Sequence, residues 1–390
     1  MADTEEIVTT PEELAACVEK LAEHRILGFD TEFVGESTYT PQLCLVQAAI
    51  PGRLFLIDPL TAGPLDPFWR LLHDPARVVV VHAGREEVRL CRILSGTPPA
   101  NLFDLQIAAG LVGMSYPMGH AGIVQQILGQ RLSKGETLTE WRRRPLTEQQ
   151  IRYAYDDVRF VLRMHEKLHA KLEKLGRVEW AAEEFGRLES RSGGEVTQEE
   201  ERWRKLRGVG GLDRRRLAIV KELFEWREGR AAAVNRPPRT VVRDDLIIEL
   251  AKRGPSKASD LSVVRGLPGR DLEAISEVME RASRTPSEEC PEPAEREQDP
   301  PQMAILSNVL IAVLNDVCLR DKLAVGLVAS NNDVRALVRA RLAGTEFPAM
   351  ALTEGWRSRH VLPALTDVLE GRRSLRVADL KSDAPLGYGD

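Results

Sequence analysis

Ile26-Leu27-Gly28-Phe29-Asp30-Thr31-Glu32-Phe33 reads as a short, mostly apolar strand that carries two acids two positions apart. Side chains alternate faces along a strand, so Asp30 and Glu32 point the same way. Two carboxylates on one face of a buried strand repel each other and are costly to desolvate. A divalent cation removes both problems, and oxygen ligands of this kind suit Mg2+ or Mn2+. The competing reading is a solvated edge strand with two surface acids. The apolar residues on both sides weigh against it.

The neighbouring sequence supplies partners for this strand. Upstream, Thr10-Pro11-Glu12-Glu13 is a helix start, with Thr10 as N-cap and Pro11 at the first helical position. That helix is expected to reach about Glu23, with Leu14, Cys17, Val18 and Leu21 on one face. Downstream, Gln42–Gln47 and Arg53–Asp58 are strands separated by a Pro51-Gly52 turn, and with the Asp30 strand they predict an antiparallel meander. A helix follows near 67–72. Val78-Val79-Val80-Val81 is continuously β-branched, as expected of a strand buried on both faces. Gly84 then precedes a helix from Arg85, and further helices are expected over 102–112, 121–128 and 147–175. The fold class over residues 1–190 is therefore α/β, a mixed sheet flanked by helices.

With 390 residues, more than one domain is expected. Glu189–Gly194 reads as a linker, and residues 198–285 as a compact all-α module interrupted by Gly and Pro. Residues 286–302, rich in Pro and Glu, read as an acidic flexible linker, and 303–382 as a second helical domain. The end of the chain, from Asp383, is expected to fray. Net charge is −5 and the apolar share 43%, neither of which selects a partner class. The five cysteines form no CxxC pair, so neither a zinc site nor a disulfide framework is indicated. No signal peptide is read at the acidic N-terminus, and the apolar runs are judged too short for a membrane span. A cytoplasmic protein is expected, with no membrane partner and no organic cofactor.

Two further acidic signals stand out. Glu86-Glu87 follows the Val78–Val81 strand and the His82-Ala83-Gly84 turn. Tyr153-Ala154-Tyr155-Asp156-Asp157-Val158 lies in a long helical pattern. Tyr153 and Asp157 share a helical face, whereas Asp156 points about 100° away.

At this point residues 26–170 resemble the DEDD superfamily of 3′-to-5′ exonucleases, in the subgroup whose third motif carries Tyr, and within it the ribonuclease D family. The matching text is Phe29–Phe33, Leu43–Gln47, His82-Ala83-Gly84 with the acids after it, Leu102-Phe103-Asp104, Trp141–Thr147 and Tyr153–Val158, in that order. The resemblance implies a ribonuclease-H-like fold and two divalent metal ions, Mg2+ or Mn2+. It carries the first motif onto Asp30 and Glu32, and the third onto Tyr153 and Asp157. The second motif normally has Asp where this chain has Glu87, one methylene longer; a solvated first helical turn is the bland alternative for Glu86 and Glu87. On this reading Asp30 bridges two cations ~3.5–4 Å apart, Glu32 and Asp157 complete one site, Glu87 supports the other, and Tyr153 orients the attacking water. His82 and Gln47 are read as structural, Cys44 as core. Asp104 is read as a helix cap, with contact to the terminal nucleotide as the alternative.

Trp203–Arg284 resembles the helicase and ribonuclease D C-terminal (HRDC) domain, and 303–380, through Gly355-Trp356-Arg357, the extra helical region of longer ribonuclease D-like chains. Arg202, Arg204, Lys205, Arg207, Arg214, Arg215 and Arg216 concentrate positive charge suited to a phosphate backbone. Surface charges paired with nearby glutamates are the alternative. The resemblance implies a monomeric exoribonuclease that trims the 3′ ends of structured RNAs such as tRNA precursors. A DNA 3′-to-5′ exonuclease and a catalytically weak RNA-binding protein are the other readings left open.

Overall fold

The computed structural model describes residues 3–132, 140–191, 201–293 and 299–389. Its centre is a six-stranded mixed sheet of β1 (Thr4–Val8), β2 (Ile26–Val34), β3 (Gln42–Ile50), β4 (Arg53–Ile57), β5 (Val78–Val81) and β6 (Leu102–Asp104), in the order β1-β4-β3-β2-β5-β6. β1 runs parallel to β4, β3 antiparallel to β4, and β5 parallel to both β2 and β6. The expected meander is there, with two strands at its edges that the sequence pattern did not flag. β1 is acidic and half-exposed, and β6 is three residues long, so neither has a legible period.

Helices cover both faces. α1 (Pro11–Ala22) starts in a capping box: the Thr10 hydroxyl accepts from the Glu13 N–H, and the Glu13 carboxylate accepts from the Thr10 N–H. Phe29 of β2 packs on Phe68 and Trp69 of α2 (Asp66–Leu72), with ring centroids 5.9 and 6.4 Å away. Odd positions of β2 thus face α2, and even positions face the opposite layer. There Val161 crosses so close to Gly28 that any side chain at 28 would strike its methyl group. The helix expected over 102–112 is instead β6 followed by α4 (Leu105–Leu111), capped by Asp104. The long helix expected over 147–175 breaks at Phe160 into α6 (Glu148–Arg159) and α7 (Val161–Lys174). The expected linker at 189–194 begins as the end of α8 (Val178–Arg191), and the rest of it lies outside the described residues.

The chain forms two compact units. The first joins residues 1–32, 44–192 and 298–390, so the C-terminal helices share a unit with the sheet. The Gly355-Trp356-Arg357 motif provides the attachment. Arg357 forms a buried ion pair with Glu184 of α8, which also accepts from the Trp356 indole at 2.8 Å, and Trp356 stacks on Trp180 at 4.6 Å. Gln302–Arg320 is, by length and composition, apolar enough to cross a membrane, contrary to the sequence expectation. In the fold it packs against Asn331–Ala343 and Leu362–Leu369, burying Met303, Leu310, Val313 and Leu314. The end of the chain does not fray: Leu386–Gly389 pairs with Ser374–Val377, and Tyr388 donates to Asp316 at 2.9 Å.

The second unit joins residues 33–43 to 193–297. Its core is helical, built around Trp203, Leu217, Val220, Leu223, Ile247 and Met279. The β2–β3 connection belongs to it through Tyr39 and Thr40, whose N–H groups both donate to Asn235 Oδ1 at 3.1 Å. The acidic linker expected over 286–302 is, where described, packed rather than free. Cys290 is buried, Arg214 pairs with Glu292, and Asp299 pairs with Arg335 and Arg339 in the first unit.

Candidate active site

The site forms where β2 passes under α6. Asp30 and Glu32 project from the same face of β2, and α6 brings Tyr153 and Asp157 over them. Glu32 is pushed up to about 8 by burial and by the Asp30 charge. Asp157 is pushed up to about 9 by burial and by the charges of Asp30 and Glu32. Asp30, half-buried, rises to about 6 through desolvation, moderated by the Thr31 N–H. Burial and the fields of Asp157, Glu32 and Asp30 raise Tyr153, so it keeps its proton and its hydroxyl hydrogen-bonds Asp157. Four of the residues singled out in the sequence therefore share one electrostatic environment.

Glu87 joins them from α3 (Arg85–Ser95). It is 7% exposed, takes the Thr31 hydroxyl on Oε1 at 3.2 Å, and lies within hydrogen-bond reach of Asp30. Burial and the Asp30 charge hold it well above the usual carboxylate range. Glu86 turns outward and pairs with Arg89 at 3.2 Å. Asp156 likewise turns away, pairing with Arg159 at 2.9 Å.

The position of α3 is fixed by the His82-Ala83-Gly84 turn. Ala83 adopts a left-handed backbone at φ +54°, a conformation that costs about 1–2 kcal/mol for a residue with a Cβ. Asp104 holds the turn: one oxygen accepts from Gly84 N–H at 2.8 Å, the other from Gln106 and Ile107 at 2.7 and 3.1 Å. His82 bonds the Met118 carbonyl at 2.9 Å, a structural partner.

Arg144 escaped the sequence reading, and Gln47 was read there as structural. Arg144 forks onto Asp58 at 2.5 and 2.8 Å and also donates to the Cys44 and Trp141 carbonyls. It ties the entry to α6 to the end of β4, and buried Trp141 in turn lies 6.2 Å from the Tyr153 ring. Gln47 is fully buried on β3, with no hydrogen-bond partner at either amide atom among the described residues. The Trp141–Thr147 and Leu43–Gln47 motifs contained both residues, but their reach across the sheet has no local signature.

The donor set fits hard divalent cations: one buried carboxylate, Glu87, and three half-buried ones, with no lysine or arginine among the described residues ion-paired to any of them. Among the described residues, no three His, Cys, Asp or Glu groups stand close enough to hold an ion as they are.

The expected basic patch is partly spent inside the second unit. Arg204 pairs with Glu201 and lies over the Trp203 ring, Arg214 pairs with Glu292, and Arg215 donates to the Ser283 and Thr285 carbonyls. Arg216 pairs with Asp213, while Arg202, Lys205 and Arg207 are exposed.

A 3′-5′ exonuclease family model matches residues 5–173, and an HRDC domain model matches residues 216–279. Ribonuclease D of Acidiphilium cryptum is 35% identical over 358 residues, 90% of either chain. The chain belongs to the ribonuclease D family. Ribonuclease D of Gluconacetobacter diazotrophicus is 32% identical over 357 residues, covering 90% of this chain and 89% of its own. The crystal structure of Escherichia coli RNase D, described as an exoribonuclease involved in structured RNA processing, superposes with a TM-score of 0.82 at 29% identity, over 95% of this chain and 99% of that one. This family member is a 3′-to-5′ exoribonuclease.

Proposed function

We propose that this exoribonuclease trims 3′ extensions of structured RNAs, such as tRNA precursors, as a cytoplasmic monomer. Two divalent cations, Mg2+ or Mn2+, would be held by Asp30, Glu32, Glu87 and Asp157. Bound there, the cations supply the positive charge that activates a water and steadies the leaving 3′ oxygen. The single observation behind the reading is the shared field of Asp30, Glu32, Asp157 and Tyr153, in which each acid raises another.

The protein's own groups do the rest. Tyr153 keeps its hydroxyl proton and so can orient a water while hydrogen-bonded to Asp157. Arg144 and Asp58 fix the approach of α6, and Asp104 fixes that of α3. Lys205 and Arg207, exposed in the HRDC-like unit, would meet phosphates.

The test is a time course on end-labelled RNA and DNA of equal sequence, with Mg2+, Mn2+ or EDTA. Release of single nucleotides from RNA 3′ ends, abolished by EDTA, is expected. Equal cleavage of DNA would remove the RNA preference, and full activity in EDTA would refute the metal assignment.

A further inference from the structure

We infer that Gln47 is a positioning residue of the acidic site, whose carboxamide holds the Asp30 carboxylate when the site takes a cation. The inference rests on the reading of these acids as cation ligands. It starts from an anomaly: Gln47 is 0% exposed, yet neither its Oε1 nor its Nε2 has a hydrogen-bond partner among the described residues. A buried amide left unpaired costs about 1–3 kcal/mol. An apolar residue would fill this position of β3 without that cost, since Leu45 and Ala49 on either side are both buried.

The register shows what Gln47 faces. β2 and β3 are neighbours in the sheet, joined by the reversal between Val34 and Gln42. A side chain at Gly28 would come within 3.1 Å of the Ala49 Cβ, so Gly28 and Ala49 are opposite each other. In an antiparallel pair aligned there, Asp30 lies opposite Gln47 and Glu32 opposite Leu45. Directly opposed side chains have Cβ atoms about 4.5–5.5 Å apart. Gln47 therefore shares the face of the sheet from which Asp30 and Glu32 project, under the layer that carries Asp157.

Asp30 accepts from the Thr31 N–H at 2.9 Å. An amide opposite Asp30 on the same face can donate from Nε2 to its carboxylate and accept a water on Oε1, which would satisfy both amide atoms once the site is loaded.

The experiment uses the full chain with Gln47→Met, which preserves length and apolar volume, and Gln47→Leu as a second variant. Mn2+ binding is measured by calorimetry without RNA, and urea unfolding in EDTA. The expected result is about 10–100-fold weaker Mn2+ binding, the usual effect of removing a group that orients a ligand. Stability in EDTA should equal or exceed that of wild type, because the amide lost had no partner. Mn2+ affinity within about twofold of wild type in both variants overturns the proposal, as does a loss of stability in EDTA with unchanged Mn2+ affinity, the mark of a merely structural glutamine. Asp157→Asn runs alongside. Loss of Mn2+ affinity in Asp157→Asn alone overturns the role of Gln47 only. Unchanged affinity in every variant overturns the metal assignment and, with it, this proposal.

Discussion

Asp157→Asn should change how stability depends on pH, and the size of the change follows from the site. In the folded, cation-free chain Asp157 is pushed up to about 9 from its ordinary value of 3.8. The native state therefore holds a proton that the unfolded chain has released across the range between those values. A carboxylate raised on folding contributes stability below its unfolded value, and that contribution is lost as pH climbs toward the folded value. Each such group tilts stability by about 1.4 kcal/mol per pH unit. Asparagine removes one titrating group, and Glu32 is raised by burial and by Asp30, so its tilt survives. Urea unfolding in EDTA at pH 5, 6 and 7 should show the variant gaining on wild type by about 2.7 kcal/mol across the two units. With Mn2+ at about 100 times its dissociation constant, wild type regains about 2.7 kcal/mol through binding to the folded state alone. The variant, with fewer ligands, should gain less. A constant difference between the two proteins from pH 5 to 7 in EDTA would refute the reasoning, because Asp157 would then be ionised in the fold.

Glu87→Gln should lower exonuclease turnover at least tenfold at low Mn2+, with partial rescue at high Mn2+, because it removes charge that the proposed cations would need. Glu87→Asp should stay active, and Glu86→Gln should change the rate less than about twofold, since Glu86 is exposed and paired with Arg89; the reverse order would shift the motif by one residue. Arg144→Met should cost about 3–5 kcal/mol in urea unfolding by stranding buried Asp58, and a loss under about 1 kcal/mol would show that the fork is dispensable. Lys205→Ala with Arg207→Ala should flatten the slope of log affinity against log salt for single-stranded RNA by about 1.4 without changing turnover, and an unchanged slope would exclude both from phosphate contact.

The acids were legible in the sequence because each sits in an element with a strong period. Alternation along β2 put Asp30 and Glu32 on one face, and the four-residue spacing put Tyr153 and Asp157 on one side of α6, while Asp156 turned to Arg159. The same helical geometry separated Glu87 from Glu86. Illegible were the features that depend on partners distant in sequence. β6 is three residues long and exists because β5 lies beside it. The α8 helix runs through Glu189, whose carboxylate accepts the Leu102 N–H at 3.1 Å, a bond across 87 positions. Charge density in the Arg202–Arg216 run is a property of composition, whereas the pairing that spends half of it is a property of the fold.

Glu87 shows how these levels combine. A carboxylate one methylene longer than Asp needs either a retreating helix or a support for its extra reach. The helix is not free to retreat: Ala83 accepts a left-handed backbone, and a side chain at Gly84 would lie within 2.9 Å of the Val81 Cβ, so the turn is already as tight as it can be. Asp104 pins that turn from β6. The support comes from Thr31, the residue between the two acids of β2, whose side chain points to the other face and donates to Glu87 Oε1. The strand that presents Asp30 and Glu32 upward thus steadies the third acid from its own intervening position. Burial and the Asp30 charge raise Glu87 as they raise Glu32 and Asp157. Carboxylates must be ionised to hold a cation, so affinity should rise with pH across the range in which Glu32 and Asp157 lose their protons.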